Sequence, residues 1–170
     1  YVFIRFMPGT GYSLIKNGKN AGSIANTAVP IRGGVMGEEQ MLSVLERDIK
    51  LEERTGLISK IVRVNLQNEH ERYIVKYCTE RIFQTQGNVR VEELAYETGF
   101  TSRHIGKLFE KCIGVSPKLY SQIIKLQTSM EKITENNDKK LIEIALDSGF
   151  FDHAHMNRMY KKLIGISSGE

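Results

Sequence analysis

Leu94-Ala95-Tyr96-Glu97-Thr98-Gly99-Phe100 recurs fifty residues later as Ile144-Ala145-Leu146-Asp147-Ser148-Gly149-Phe150. Both stretches read as the end of an amphipathic helix closed by Gly and then Phe. Glycine reaches the left-handed conformation that stops a helix, and the aromatic folds back onto the core. The small Ala lets a second helix cross closely. After each Gly comes a short turn and a further apolar triplet, Ile105, Leu108, Phe109 in the first copy and Met156, Met159, Tyr160 in the second. The triplets share spacings of three and one, and each is followed five residues later by Gly114 or Gly165. The turn is one residue longer in the second copy. Helix, Gly turn, helix at this scale is the helix-turn-helix layout. The second helix of such a pair enters the major groove of DNA, led by its N-terminal residues.

Helical phase turns the triplets inward and assigns the opposite side to the groove. In the first copy that side holds Ser102, Arg103, Gly106 and Lys107. In the second it holds His153, Ala154, Asn157 and Arg158, with Lys161 further along. Arg pairs bidentately with guanine and Asn with adenine. A single surface Arg or Lys is usually a solvated charge. The repeat shifts the weighting, because a basic residue stands two past the first anchor in both copies, Lys107 after Ile105 and Arg158 after Met156. Thr101 and Asp152 read as helix caps. Lys111, Lys118, Lys125 and Lys162 are candidate phosphate neighbours.

Between the copies, Ser116-Pro117 is an N-cap and first-turn pair. Leu119, Ile123, Leu126, Met130 and Ile133 follow in steps of four, three, four and three. This predicts one linker helix, broken at residues 135–138, that holds the two motifs about one DNA turn apart.

Upstream the pattern changes. Residues 1–37 hold 7 of the 15 glycines and 2 of the 3 prolines, too irregular a stretch to bury a core alone. Residues 2–7 alternate like a short strand, and we read the segment as the edge of a larger β-rich domain. From Glu38 the period is helical: Met41, Leu42, Leu45 and Ile49 mark one helix. Ile58, Ile61 and Val62 mark another after Gly56. A third runs over 70–83, with Tyr73, Ile74, Tyr77, Cys78 and Ile82 on one side. The expected division is 1–66 and 67–170, with motifs at about 91–112 and 141–163. The fold class is mainly α: two helix-turn-helix subdomains joined by a linker helix, preceded by a small α/β or β-rich remnant of a sensor domain.

The bulk numbers agree with a folded, globular chain: 41% hydrophobic and 26% charged residues over 170 positions. Formal net charge is +4. Residues 88–170 carry 12 Lys/Arg against 11 Asp/Glu, so net charge alone would not identify a DNA binder. Cys78 and Cys112 stand 34 apart with no CxxC or His/Cys cluster, which argues against a zinc site or a disulfide framework. The residues from Gly11 to Lys19 depart from the spacing of a phosphate loop. His153-Ala154-His155 lacks the four-residue spacing and third ligand of a metal site. No apolar run reaches the roughly 20 residues of a membrane span. The expectation is no catalysis, no cofactor, no metal and no membrane, with the cytoplasm as default location.

The residues 94–100, Phe109, Gly114-Val115-Ser116-Pro117, Tyr120, 144–150, Tyr160 and Gly165 together resemble the C-terminal DNA-binding domain of AraC/XylS-type bacterial transcription regulators. The resemblance covers about 70–170. It departs at Met156, where the family has an aromatic, and at Lys125, where Arg is frequent. It departs again after Gly165, where Gly-x-x-Pro-x-x-Tyr is usual and Gly165-Ile166-Ser167-Ser168-Gly169-Glu170 stands. Residues 1–60 resemble, more loosely, the tail of a cupin-like sensor domain.

The resemblance implies a sequence-specific activator of transcription that binds double-stranded DNA and works with RNA polymerase. It also implies a small-molecule effector at the N-terminal domain and a homodimer. A helical protein-interaction module that has kept the fold and lost DNA binding is the rival reading. A DNA-modifying enzyme with a helix-turn-helix appendage would need a reactive Cys, and neither cysteine has a basic setting to activate it.

Overall fold

The computed structural model describes residues 4–16, 21–24, 31–66, 69–135 and 139–169. Two 3-10 turns, η1 (Gly11–Leu14) and η2 (Ala21–Ile24), precede a single kinked turn, α1 (Ile31–Gly34). Then follow α2 (Glu38–Leu45), α3 (Leu51–Asn65), α4 (Glu69–Gln84), α5 (Val91–Thr98), α6 (Ser102–Cys112), α7 (Pro117–Glu135), α8 (Leu141–Asp147) and α9 (His153–Ile164).

The mainly α expectation holds, and its β-rich N-terminal part does not. Among the described residues there is no strand, only an isolated antiparallel bridge between Ile15 and Val35. Residues 4–7 are irregular, while 2 and 3 of the expected strand lie outside the described residues, as do the 17–20 turn and 136–138 of the linker break. Period-two alternation in so short a stretch needs a ladder partner to become a strand, and the described residues offer none along 4–7.

Contacts divide the chain into two compact units, Tyr1–Tyr77 with Arg103–Val115, and Cys78–Ser102 with Ser116–Glu170. In the first unit, Leu14 of η1 packs with Met41 and Val44 of α2 and with Ile58 and Val62 of α3. Each of these buried aliphatic side chains contributes about 1.5–3 kcal/mol relative to exposure. Gly37 permits this packing. At φ 72° it starts α2, and a Cβ there would come within 2.9 Å of Ile61. The helix expected after Gly56 in fact begins at Leu51 and runs through that glycine. No atom lies within 4 Å of a Cβ built at Gly56, so the residue sits on an open face and costs only its helix propensity. The bridge is reinforced by Lys16, whose ammonium meets Glu38 at 2.9 Å.

The same unit contains the start of α4 and most of α6. Ile74 is buried as expected and Val75 is buried beside it, but Tyr73 is 71% exposed, so the buried stripe of α4 is shifted from the one the sequence suggests. The Tyr12 phenol donates to Glu71 at 2.9 Å. Lys111 donates to both oxygens of Glu71, at 2.8 and 2.7 Å, and lies 5.9 Å from the Tyr12 ring centre. The Lys111 hydrogen bond holds the Glu71 carboxyl below the usual carboxylate range. Burial pushes the Tyr12 phenol up.

In the second unit, Leu126 of α7, Ala145 of α8, Phe150 and the triplet Met156, Met159, Tyr160 of α9 form one core, flanked by Ile133, Leu141 and Leu163. The linker helix is 19 residues long, and Ser116 caps it by accepting the Leu119 N–H at 3.2 Å. Its buried face is rotated from the expected stripe. Ser121, Ile124, Leu126 and Ser129 are buried, whereas Met130 is 42% exposed. Small residues decide this rotation. Ser121 sits where Gly87 approaches so closely that a Cβ on the glycine would strike the Ser121 carbonyl. The Ser129 hydroxyl meets that of Tyr160 at 2.9 Å inside the core.

Both cysteines are free and buried, the bland reading of the sequence. Burial pushes the Cys78 thiol up to about 11 and raises Cys112 as well. Neither is an activated nucleophile. Among the described residues, no helix is long and apolar enough to cross a membrane.

Candidate nucleic-acid interface

The repeat is built from one backbone device used twice. After α5, the Phe100 N–H bonds the Ala95 carbonyl at 3.0 Å and the Gly99 N–H bonds Tyr96 at 3.3 Å. After α8, Phe150 bonds Ala145 at 2.9 Å and Gly149 bonds Leu146 at 2.9 Å. Each is a Schellman closure, with the glycine at φ 74° or 78°. In the second copy the turn carries extra supports. Lys125 donates to the Gly149 carbonyl at 3.0 Å and Lys132 to the Asp147 carbonyl at 2.6 Å. Two cations from one face of α7 thus satisfy acceptors at the C-terminal end of α8, where the helix dipole favours positive charge. Burial lowers the Lys125 pKa. His155 adds a ring contact to Phe150, edge-on with centres 5.6 Å apart. Asp152 caps α9 through the His155 N–H.

The inward residues are as the phase requires. Ile105, Leu108 and Phe109 are buried on α6, and Met156, Met159 and Tyr160 on α9. Met156 is 0% exposed and so serves as a core anchor of α9. From Arg103 on, α6 belongs to the first unit and α5 to the second. On α6, Arg103 and Lys107 are exposed, one turn apart, and Ser102 is half-buried. A Cβ added at Gly106 would meet no atom within 4 Å, so packing within the protein does not require a glycine there. On α9, Ala154, Arg158 and Lys161 are exposed.

His153 and Asn157 have partners inside the protein. Both are half-buried and hydrogen-bonded with Ser168, a residue that no sequence pattern marks out. Two of the lysines expected as phosphate neighbours are also engaged elsewhere, Lys111 with Glu71 and Lys125 with Gly149. A lysine on the apolar edge of the linker helix, as Lys125 is, could have signalled an internal acceptor. No sequence signal connects Ser168 to Asn157.

A helix closed by a Schellman turn, a capped second helix with an apolar inner face and an exposed basic outer face define the helix-turn-helix class. Comparison with known proteins agrees. Residues 94–170 match the family model described as a helix-turn-helix domain. The chain is 26% identical over 109 residues to the lactose operon transcription activator of Staphylococcus xylosus, covering 64% of this chain and 38% of that protein. It is 21% identical over 152 residues to the HTH-type transcriptional regulator ArgR of Pseudomonas aeruginosa, covering 81% of this chain and 46% of that one. The chain thus spans less than half the length of these relatives. Among solved structures, a probable AraC family transcriptional regulator from Rhodopseudomonas palustris CGA009 superposes with a TM-score of 0.50 at 26% identity, over 56% of this chain and 90% of that one. Over residues 94–170 the chain is thus similar to helix-turn-helix domains, and the relatives and the solved neighbour it resembles carry the names of transcription regulators.

Proposed function

We propose that this chain is a sequence-specific DNA-binding transcription regulator in which α6 and α9 each enter a major groove, on one face of the duplex. The observation that carries the reading is the doubled device itself. Two Schellman turns of the same geometry each lead into a helix whose buried triplet leaves a basic residue, Lys107 or Arg158, exposed at the same place. Among the described residues, Arg103, Lys107, Arg158 and Lys161 make no ion pair, which leaves them available to phosphates or base edges. Ser102 and Gly106 flank the first pair, and Ala154 the second. Phosphate contacts would supply salt-dependent affinity and base contacts the selection. Residues 67–170 form the DNA-binding part in this reading. Residues 1–66 belong to the part that controls it, by a small-molecule effector or self-association. Activation together with RNA polymerase, in the cytoplasm, follows family habit.

The test is selection of bound duplexes from a random library. The expected result is an enriched site with two blocks about one helical turn apart, bound with an affinity that falls steeply with salt. A second reading, a helical interaction module without DNA binding, is favoured by the near balance of charge over 88–170 and by the engagement of His153 and Asn157 with Ser168. It predicts no enrichment and no retarded band at low salt.

A further inference from the structure

Three side chains meet at one edge of α9. Asn157 Oδ1 accepts the Ser168 backbone N–H at 2.9 Å and the Ser168 hydroxyl at 2.5 Å. The amide nitrogen of Asn157 lies 3.3 Å from His153 Nε2, and the Ser168 hydroxyl oxygen lies 3.2 Å from the same ring nitrogen. A backbone N–H only donates, so the Asn157 atom facing it is the carbonyl oxygen. This fixes the amide's orientation without reference to hydroxyl rotation or imidazole tautomer. Ser168 itself is buried, 7% exposed. Both acceptor sites of Oδ1 are therefore taken inside the protein. What Asn157 has left is an N–H donor. Bidentate reading of adenine needs the oxygen to accept from N6 while the nitrogen donates to N7. The donor alone suits N7 or O6 of guanine and O4 of thymine as well as N7 of adenine.

The first copy cannot build this arrangement. Gly106 stands immediately after the first buried anchor, where Asn157 stands in the second copy. Pro117 stands three residues after Gly114, where Ser168 follows Gly165. Glycine has no amide side chain and proline no N–H. Both positions of the Asn157–Ser168 contact thus differ between the copies.

We propose that Ser168 is a positioning residue that sets the base preference of the second recognition helix, by holding Asn157 as a donor and withdrawing its adenine-reading oxygen. This rests on the reading that α9 enters the major groove.

The experiment compares duplexes selected from a random library by the unaltered chain with those selected by Ser168→Pro, Ser168→Ala and Ser168→Thr. An Asn157→Ala profile marks the base pair that Asn157 addresses. The unaltered chain is expected to show no adenine preference there. Ser168→Pro removes both donors and should raise the preference for adenine at that pair about tenfold. Ser168→Ala, which keeps the N–H, should fall between, and Ser168→Thr should restore the original profile. Preferences in the other half of the site should stay unchanged throughout, which also reports that the variants are folded. An adenine preference in the unaltered chain, or a Ser168→Pro profile equal to it, overturns the proposal. If Ser168→Pro does not fold, a Ser168→Ala profile equal to the original overturns it. A chain that enriches duplexes but is indifferent to Asn157→Ala sinks this inference alone. A chain that enriches none sinks the DNA-binding reading and this inference with it.

Discussion

Lys125 donates its ammonium to the Gly149 carbonyl at 3.0 Å, with its charge 5.6 Å from the centre of the Phe150 ring. One side chain of the linker helix thereby holds both residues that close the second repeat. Replacing it with Met keeps the aliphatic stem and deletes the donor. Lys125→Met should destabilise the chain by about 1–2 kcal/mol. Lys125→Arg, which keeps a cation and donors, should cost less than half as much. Urea unfolding of both variants checks the order, and equal losses would show that packing and not the hydrogen bond matters.

The two repeat glycines should not tolerate Ala equally. Gly99 has φ 74° but nothing within 4 Å of an added Cβ. Gly149 has φ 78° and a Cβ there would overlap the Asn88 side chain. Gly99→Ala should cost about 1–2 kcal/mol, the left-handed strain alone. Gly149→Ala should cost at least about 1 kcal/mol more. Adding Asn88→Ala to Gly149→Ala should recover that surplus in a double-mutant cycle and leave the strain.

Acid stability should report on Glu71. Its folded pKa is lowered, first by the Lys111 hydrogen bond, from the ordinary 4.5. A depressed carboxyl contributes stability that is present above its unfolded value and lost as pH falls through its folded value. Stability should therefore decline as pH drops below about 4.5. Glu71→Gln should flatten part of that decline. The lowered carboxyls of Asp147 and Glu38 would leave a residual slope. Unfolding midpoints at a series of acid pH values test this, and an unchanged slope in the variant would exclude Glu71 as a source.

Arg103 and Arg158 are exposed, one on each proposed recognition helix. If they read bases, Arg103→Ala and Arg158→Ala should each weaken a selected duplex by about 1–3 kcal/mol. Binding to random duplex should change little, beyond a small reduction in the salt slope. Each loss should map to a different block of the site. Equal losses on selected and random DNA would reassign both residues to phosphates.

The sequence alone determined the doubled helix ends at Gly99-Phe100 and Gly149-Phe150, the capped start of α7 at Ser116, and the inward faces of α6 and α9. These features are local. A Schellman closure or a cap is satisfied by backbone groups within five residues, and a helix face follows from phase. Local reasoning failed at the N-terminus, where residues 4–7 have strand-like alternation but no ladder partner among the described residues, and at Gly56, which lies inside α3 instead of ahead of it. Only the tertiary structure decided which side of α7 is buried, because that rests on Ser121 meeting Gly87 and Ser129 meeting Tyr160. It alone turned Lys125 inward to Gly149 and joined Asn157 to Ser168. Those partners lie far apart along the chain, and nothing in residue type or periodicity specifies such a pair. Packing of the helices brings them within bonding distance, and the need to satisfy buried polar groups then selects the contact.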